Sequence, residues 1–223
     1  MLKNRECLRL YAVTNESGDD SRPLTERVEM AIKGGATLVQ LREKHLEGPE
    51  LEALARQVLE VCRRMGVPFI LNDDPVLAAK TGADGVHVGA SDMSVKEARR
   101  IMGPDRTVGA TAKTLEAARA AEAAGADYLG CGAVFGSTTK NTTAMSLETL
   151  KEITAGVSIP VVAIGGISLE NVRKLSGTGI AGAAVVSGIF GQQDIEAAAA
   201  RLKAELEAFQ EDIYENSINH SRF

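Results

Sequence analysis

Cysteines, aromatic residues and long apolar runs are all scarce in this sequence of 223 residues. The three cysteines, Cys7, Cys62 and Cys131, form no C-x-x-C pair, so the sequence indicates neither a disulfide framework nor a zinc site. No apolar run is long enough to cross a bilayer, and the first residues lack the apolar segment of a signal peptide. We therefore expect a cytoplasmic protein with reduced cysteines and no membrane partner.

Positive charge and base-stacking side chains are also in short supply. The net charge is −5 and aromatic residues make up 4% of the chain. Proteins that bind nucleic acids usually carry a basic surface, and those that bind single strands stack bases on aromatic rings. We therefore expect no nucleic-acid partner.

What the sequence does contain is a regular succession of short apolar strands and amphipathic helices. The predicted strands are 8–15, 37–44, 68–71, 85–89, 107–111, 127–135, 160–164 and 183–186, and a helix follows each one. Parallel strands joined through helices form a sheet, and eight such units can close into a barrel. The sequence predicts one α/β domain, a (β/α)8 TIM barrel over residues 1–210, with a polar tail over residues 211–223. A doubly wound open sheet is the alternative.

The second strand, Val39 to Lys44, ends in polar side chains. Because side chains alternate along a strand, Gln40, Arg42 and Lys44 share one face. Arginine forks onto phosphate oxygens and lysine adds a compact charge, so this face suits a polyanion. A solvated edge strand explains the stretch equally well at this point.

Other polar side chains follow the remaining strands, and in a barrel the carboxyl ends of all eight strands meet at one mouth. The residues at these strand ends are Asn72, Asp73, Asp92, Thr111, Lys113, Ser137, Thr138, Thr139, Lys140, the pair Gly165-Gly166 and the pair Ser187-Gly188. We therefore expect one pocket with a cationic side and an acidic side. His87, in the middle of a strand, is expected to be a packed barrel residue rather than a catalytic base.

The two carboxylates, Asp73 and Asp92, have two interpretations. Each can be the N-cap of the helix that follows it. Beside a diphosphate, the pair can instead bind Mg²⁺, which takes carboxylate oxygens on one side and phosphate oxygens on the other. The glycines after strands seven and eight are typical of a monophosphate site in barrels, although plain turn geometry also explains them.

The ordered motifs of the chain resemble the thiamine-phosphate synthase family over nearly the full length. The motifs that carry the resemblance are Gln40-Leu41-Arg42-Glu43-Lys44, Asn72-Asp73, Gly85-Val86-His87-Val88-Gly89 with Asp92, Thr139-Lys140, Gly165-Gly166-Ile167 and Val186-Ser187. The resemblance implies an Mg²⁺-dependent transferase that joins hydroxymethylpyrimidine diphosphate to a thiazole phosphate. Diphosphate would leave first, and the thiazole nitrogen would then capture the pyrimidinylmethyl cation. A thiazole tautomerase of the same fold and a non-catalytic sensor of phosphorylated ligands are the alternatives.

The resemblance also implies roles for individual residues. The pyrimidine diphosphate would bind Gln40, Leu41, Arg42, Glu43, Lys44, Asn72, Thr111 and Lys140, of which Arg42, Lys44, Thr111 and Lys140 would be catalytic. The thiazole phosphate would bind Ser137, Thr138, Thr139, Gly166, Val186 and Ser187. Asp73 and Asp92 would be the metal ligands. Family members often self-associate, so a homo-oligomer is compatible with the resemblance.

Three positions depart from the family pattern. Thr111 stands where serine is usual and keeps the hydroxyl. Ala133 follows Gly132 where proline is usual, which would loosen the loop after strand six. Lys113 adds a cation where the family often has histidine or another residue, and it is not assigned a role.

Overall fold

A computed structural model describes residues 5–15, 21–136 and 144–220, with the side chains of the last helix described as far as residue 208. The strands are β1 (Leu10–Val13), β2 (Leu38–Leu41), β3 (Phe69–Asn72), β4 (Gly85–Val88), β5 (Thr107–Ala112), β6 (Tyr128–Gly132), β7 (Val161–Ile164) and β8 (Gly182–Val185). The helices are α1 (Leu24–Lys33), α2 (Gly48–Met65), α3 (Pro75–Thr81), α4 (Val95–Met102), α5 (Leu115–Ala123), α6 (Leu147–Gly156), α7 (Ser187–Phe190) and α8 (Ile195–His220). Single 3₁₀ turns cover Arg5–Leu8 and Val172–Leu175.

The eight strands pair in parallel, in sequence order, and close into a barrel. The closing pair joins β1 to β8, with Tyr11 opposite Ala184. The predicted (β/α)8 barrel is therefore confirmed, and an open sheet is excluded. No helix in the described part of the chain is both long and apolar enough to span a bilayer.

Two apolar layers fill the structure, as expected for strands covered on both faces. The inner layer lies inside the barrel and includes Tyr11, Leu38, Ile70, Tyr128 and Val162. The outer layer lies between the strands and the helices, and strand residues that alternate with the inner set point into it. The interior is thus a packed core below the mouth rather than a pore.

Local sequence signals fix where most helices begin and end. Side chains of Asp74, Ser94, Thr114 and Ser146 each accept a hydrogen bond from the backbone N–H three residues on, which satisfies an orphan donor of the following helix. Gly66, at φ 71°, ends α2 in the left-handed conformation that glycine adopts without a Cβ clash.

Two helix predictions differ from the structure. A helix is predicted over Leu169 to Leu175, but only the 3₁₀ turn forms there. The Asn171 side chain accepts from the Ser168 N–H and donates to the Gly166 carbonyl, and such local bonds compete with helix formation. The sequence predicts that the last helix ends at Phe209, but its backbone continues to His220, because residues 210–220 contain no glycine or proline to end it. The division of the chain at residue 210 stays a prediction.

We expect the packing of α8 on the barrel to contribute strongly to stability. Leu202, on α8, is 0% exposed within the outer layer. The substitution Leu202→Ala should lower the free energy of unfolding by about 2–5 kcal/mol, because it leaves a cavity as well as losing burial. Urea denaturation measures the change. Leu169→Ala is the matched control, since Leu169 is 37% exposed, and it should cost much less. An equal loss in both variants would show that α8 is not part of the core.

Candidate active site

The carboxyl ends of the strands surround a cavity of about 210 Å³. Polar side chains at the strand ends, glycines of β6 and of the loop after β7, and several apolar residues line it: Tyr11, Val13, Gln40, Arg42, Asn72, His87, Thr111, Lys113, Gly130, Gly132, Ala133, Val162, Ile164, Gly165, Gly166, Ile167, Ala184, Val186 and Ser187. Seven predicted site residues are therefore brought together: Gln40, Arg42, Asn72, Thr111, Gly166, Val186 and Ser187. The edge-strand alternative for β2 is excluded, because β2 lies between β1 and β3.

Strand β2 points alternate side chains into the cavity. Gln40 is buried in the cavity wall and Arg42 lies above it at the mouth, whereas Leu41 packs in the outer layer. The backbone N–H of Arg42 donates to the hydroxyl of the fully buried Thr14 at 2.9 Å, which fixes the exit of the strand. Neither Glu43 nor the exposed Lys44 lines the cavity. The binding roles predicted for Leu41, Glu43 and Lys44 stay predictions.

A row of hydrogen bonds crosses the floor of the cavity. The Gln40 amide nitrogen donates to the Tyr11 hydroxyl at 2.5 Å, and the Tyr11 and Tyr128 hydroxyls lie 2.8 Å apart. His87 Nδ1 is 3.0 Å from the Tyr128 hydroxyl, and His87 Nε2 is 3.0 Å from Thr111 Oγ1. His87 is thus a barrel residue with hydrogen-bond partners, as predicted, but it is also part of the cavity wall.

Burial controls the ionisation of several groups around this floor. Desolvation raises the pKa of both Tyr11 and Tyr128 well above the usual range, so both keep their protons. Burial also raises the pKa of Cys62 and of Cys131 to about 12. These two thiols are therefore not activated as nucleophiles.

The capping explanation for the two predicted metal ligands is not supported. Asp74, not Asp73, caps α3, through a 2.9 Å bond from the Leu77 N–H, and Ser94, not Asp92, caps α4. Asp73 has φ 64°, the only positive φ among the described residues other than glycine. Its N–H donates to the carbonyl of His87 at 2.8 Å, which holds it against the neighbouring strand.

Asp92 lies at the exit of β4 and is exposed. Its Oδ2 accepts from the Gly89 N–H at 2.8 Å, and its own N–H donates to the Gly89 carbonyl at 3.2 Å. The second carboxylate oxygen has no hydrogen bond to any described residue. Asp73 and Asp92 thus leave the adjacent strands β3 and β4, and neither lines the cavity itself.

The opposite wall of the mouth is formed by the loops after β7 and β8. Gly165 and Gly166 have φ of 101° and 66°, and a Cβ on Gly166 would lie 2.7 Å from the Phe135 carbonyl oxygen. Close approach of the β6 loop therefore requires this glycine pair. Gly166 and Ser187 line both the main cavity and a second, more open hollow beside it, with Gly188 and Gln192 in the latter.

Backbone hydrogen bonds hold the start of the loop after β6, where alanine occupies position 133. The Val134 N–H donates to Ile164 O at 3.0 Å, the Phe135 N–H to Gly165 O at 3.0 Å, and the Ala133 carbonyl accepts from Met145 N–H at 2.7 Å. The loosening expected from the alanine stays a prediction. Predicted site residues Ser137, Thr138, Thr139 and Lys140 lie outside the described residues.

Sequence reasoning missed Tyr11 and Tyr128 and left Lys113 without a role. Two of them follow from alternation: Tyr11 lies two residues before Val13 on the inner face of β1, and Lys113 lies two residues after Thr111 on the cavity side of β5. Tyr128 contacts Tyr11 through the register of distant strands. A buried tyrosine needs a partner for its hydroxyl, which was the available signal for a polar floor. Lys113 makes no ion pair with a described residue and adds a second cation to Arg42.

The chain is similar to known proteins over most of its length. The family model described as thiamine monophosphate synthase matches residues 10–189. Thiamine-phosphate synthase 2 of Streptococcus pneumoniae is 47% identical over 195 residues, which cover 87% of this chain and 93% of that protein. Thiamine-phosphate synthase of Clostridium novyi is 45% identical over 196 residues, or 87% and 96%. The solved thiamine phosphate pyrophosphorylase from Pyrococcus furiosus has a TM-score of 0.85 at 36% identity and covers 92% of this chain and 98% of its own.

We expect Asp74 to have a purely structural role as a helix cap. The substitution Asp74→Ala should lower the free energy of unfolding by about 0.5–2 kcal/mol, because the Leu77 N–H loses its acceptor. Asp74→Asn keeps a side-chain oxygen and should cost less. Urea denaturation of both variants checks this. A stable Asp74→Ala protein would return the capping role to Asp73 and remove the argument that Asp73 serves the site.

Proposed function

Since the chain belongs to the thiamine monophosphate synthase family, we propose that it joins hydroxymethylpyrimidine diphosphate to a thiazole phosphate, and that it does so in the cavity at the barrel mouth. The chain is an enzyme of thiamine phosphate synthesis, and the products are thiamine phosphate and diphosphate. The observation that carries the assignment of the site is that Arg42 and Lys113 line one side of a single cavity while Gly166 and Ser187 line the other. One cavity thus offers seats for two phosphorylated substrates.

The side formed by β2, β3 and β5 suits the diphosphate. Arg42 can fork onto phosphate oxygens, Asn72 offers an amide, and the hydroxyl of Thr111 lies deeper on the same wall. Neither the Arg42 guanidinium nor the Lys113 ammonium is paired with a described carboxylate, so both are available to an anion. Lys140, which lies outside the described residues, is proposed to complete this seat.

The acidic residues fit a bound Mg²⁺. Mg²⁺ is usually held by one or two carboxylates together with substrate phosphates and waters, and Asp73 and Asp92 leave neighbouring strands without being needed as caps. The described residues contain no cluster of three or more histidine, cysteine, aspartate or glutamate side chains. A magnesium site formed by two carboxylates and the substrate phosphates does not require a cluster of three. When bound, Mg²⁺ would supply positive charge to the diphosphate oxygens.

The protein's own groups support a dissociative reaction. Arg42, Lys113 and Thr111 line the cavity and would face the departing diphosphate, where interactions that strengthen as negative charge develops lower the barrier. The thiazole phosphate would be held by the backbone N–H groups and hydroxyl at Gly166, Val186 and Ser187. Its nitrogen would then capture the pyrimidinylmethyl cation inside the cavity. We further propose a cytoplasmic location and self-association, in keeping with the family.

We predict that Asp92 acts through its charge. Asp92→Asn keeps an oxygen acceptor for the Gly89 N–H and should leave stability nearly unchanged, but it should lower kcat by about 100-fold or more through lost charge stabilisation of the leaving group. Diphosphate release is measured in a coupled assay, with denaturation in parallel. Asp194→Asn is the matched control, because Asp194 caps α8 and lines neither the cavity nor the second hollow, so this change should leave kcat unchanged.

The same assay separates the alternatives. Turnover should stop with EDTA and return with Mg²⁺. A tautomerase would convert thiazole phosphate without releasing diphosphate, and a sensor would be stabilised by ligands without turnover. Full activity of Asp92→Asn in the presence of EDTA would remove the metal from the proposal.

We predict that the two anion seats are separable. Lys140→Ala should lower kcat/KM for pyrimidine diphosphate by about 10–100-fold, because the cation proposed to bind the leaving group is lost, while KM for thiazole phosphate stays within about twofold. Steady-state kinetics with each substrate varied in turn measures both values. Lys151→Ala, on the exposed face of α6, is the control. Equal damage to both substrates would mean that the seats are not divided in this way.

A further inference from the structure

One direction of the hydrogen bonds across the cavity floor gives every tyrosine proton an acceptor within the row. Gln40 begins the row, and its amide nitrogen, which can only donate, lies on the Tyr11 oxygen. Tyr11 and Tyr128 are 1% and 0% exposed, and burial keeps both protonated. Either tyrosine can be the donor across the 2.8 Å pair; if Tyr11 donates to Tyr128, then Tyr128 can donate to His87 Nδ1, and no tyrosine proton lacks an acceptor within the row.

The orientation of the imidazole follows from this direction. With the row in that direction Nδ1 accepts and carries no proton, so the ring proton of a neutral His87 would be on Nε2. Nε2–H then donates to Thr111 Oγ1, 3.0 Å away. With Thr111 accepting from His87, its own hydroxyl proton would point elsewhere, and the cavity that Thr111 lines is where it has room.

Glycines on two strands make space for this row. A Cβ on Gly109 would lie 2.2 Å from Cζ of Tyr128, and a Cβ on Gly130 would lie 3.0 Å from Cε1 of His87. Neither glycine has a positive φ, so the turn chemistry that explains many glycines does not apply to them. Their absent side chains admit the two rings to the barrel interior, which indicates that the interior is shaped around the row.

We propose that Tyr11, Tyr128 and His87 are positioning residues that hold His87 as its Nε2–H tautomer and so turn the hydroxyl proton of Thr111 toward an oxygen of the departing diphosphate. This inference rests on the proposed function. A donor fixed in advance toward the oxygen that gains charge costs no reorganisation during the reaction. A neutral imidazole also adds no positive charge beside the pyrimidinylmethyl cation, which an imidazolium would oppose.

The first test reads the tautomer without any turnover. Long-range ¹H–¹⁵N correlation spectra of the full-length protein distinguish a protonated from an unprotonated ring nitrogen, and the His87 signals are identified by their loss in His87→Gln. We expect His87 to show a proton on Nε2 alone. A proton on Nδ1 overturns the inference, whether or not the protein makes thiamine phosphate.

The second test links the tautomer to the reaction. In Tyr128→Phe, His87 Nδ1 loses its donor, so the Nδ1–H form should appear in the spectrum and kcat should fall by about 10-fold, with KM for thiazole phosphate within about twofold. An unchanged tautomer or an unchanged kcat in a folded Tyr128→Phe protein overturns the inference.

Conservative variants separate positioning from packing. Thr111→Val keeps the shape but removes the donor, and it should lower kcat by about 10-fold or more, whereas Thr111→Ser should keep most of the activity. His87→Gln retains a donor near the position of Nε2 and should be more active than His87→Leu. Thr25→Val, on α1, is the matched control outside the site. Equal activity of Thr111→Val and Thr111→Ser, or of His87→Gln and His87→Leu, overturns the inference.

Discussion

The alternation of side chains along eight closed, parallel strands is the constraint on which the rest of the structure depends. Each strand has one face toward the barrel interior and one toward the helices, so a residue's position along its strand decides which layer it enters. Toward the amino ends of the strands the inner layer is apolar, for example at Leu38 on β2 and Ile70 on β3. Two residues further along the same strands it becomes polar, at Gln40 and Asn72. The cavity is therefore the upper end of the core, and its shape is set by the same packing.

Much of the fold and part of the site could be predicted from the sequence because both depend on short-range patterns. The succession of strands and helices, with glycines at helix ends, defines the β/α units. Because the strands close into a barrel, their carboxyl ends converge at one mouth. This was enough to bring Arg42, Thr111 and Ser187 to one mouth. The cavity floor was not predictable in this way, because the meeting of Tyr11 with Tyr128 depends on the register of strands 117 residues apart.

The two acidic residues illustrate where a local pattern leaves two answers. The run Asn72-Asp73-Asp74-Pro75 contains two carboxylates that could begin α3, and the sequence does not say which one does. The structure assigns the cap to Asp74, and Asp73 takes a left-handed backbone conformation instead. Aspartate tolerates that conformation better than most residues, although it is a sparsely populated one that usually persists where the surroundings hold it. Here the bond from the Asp73 N–H to β4 is part of what holds it.

Polar groups inside the barrel carry a free-energy cost, and the two buried tyrosines meet it by forming hydrogen bonds with each other and with Gln40 and His87. An unsatisfied buried hydroxyl costs about 1–3 kcal/mol, so two tyrosines in the core would be unfavourable unless each found a partner. Linking them to Gln40 at one end and to His87 at the other satisfies both and carries the row to the cavity wall at both ends. The same bonds that make a polar core tolerable therefore also fix the orientation of groups at the surface where the substrates would bind, and stability and site geometry share one network.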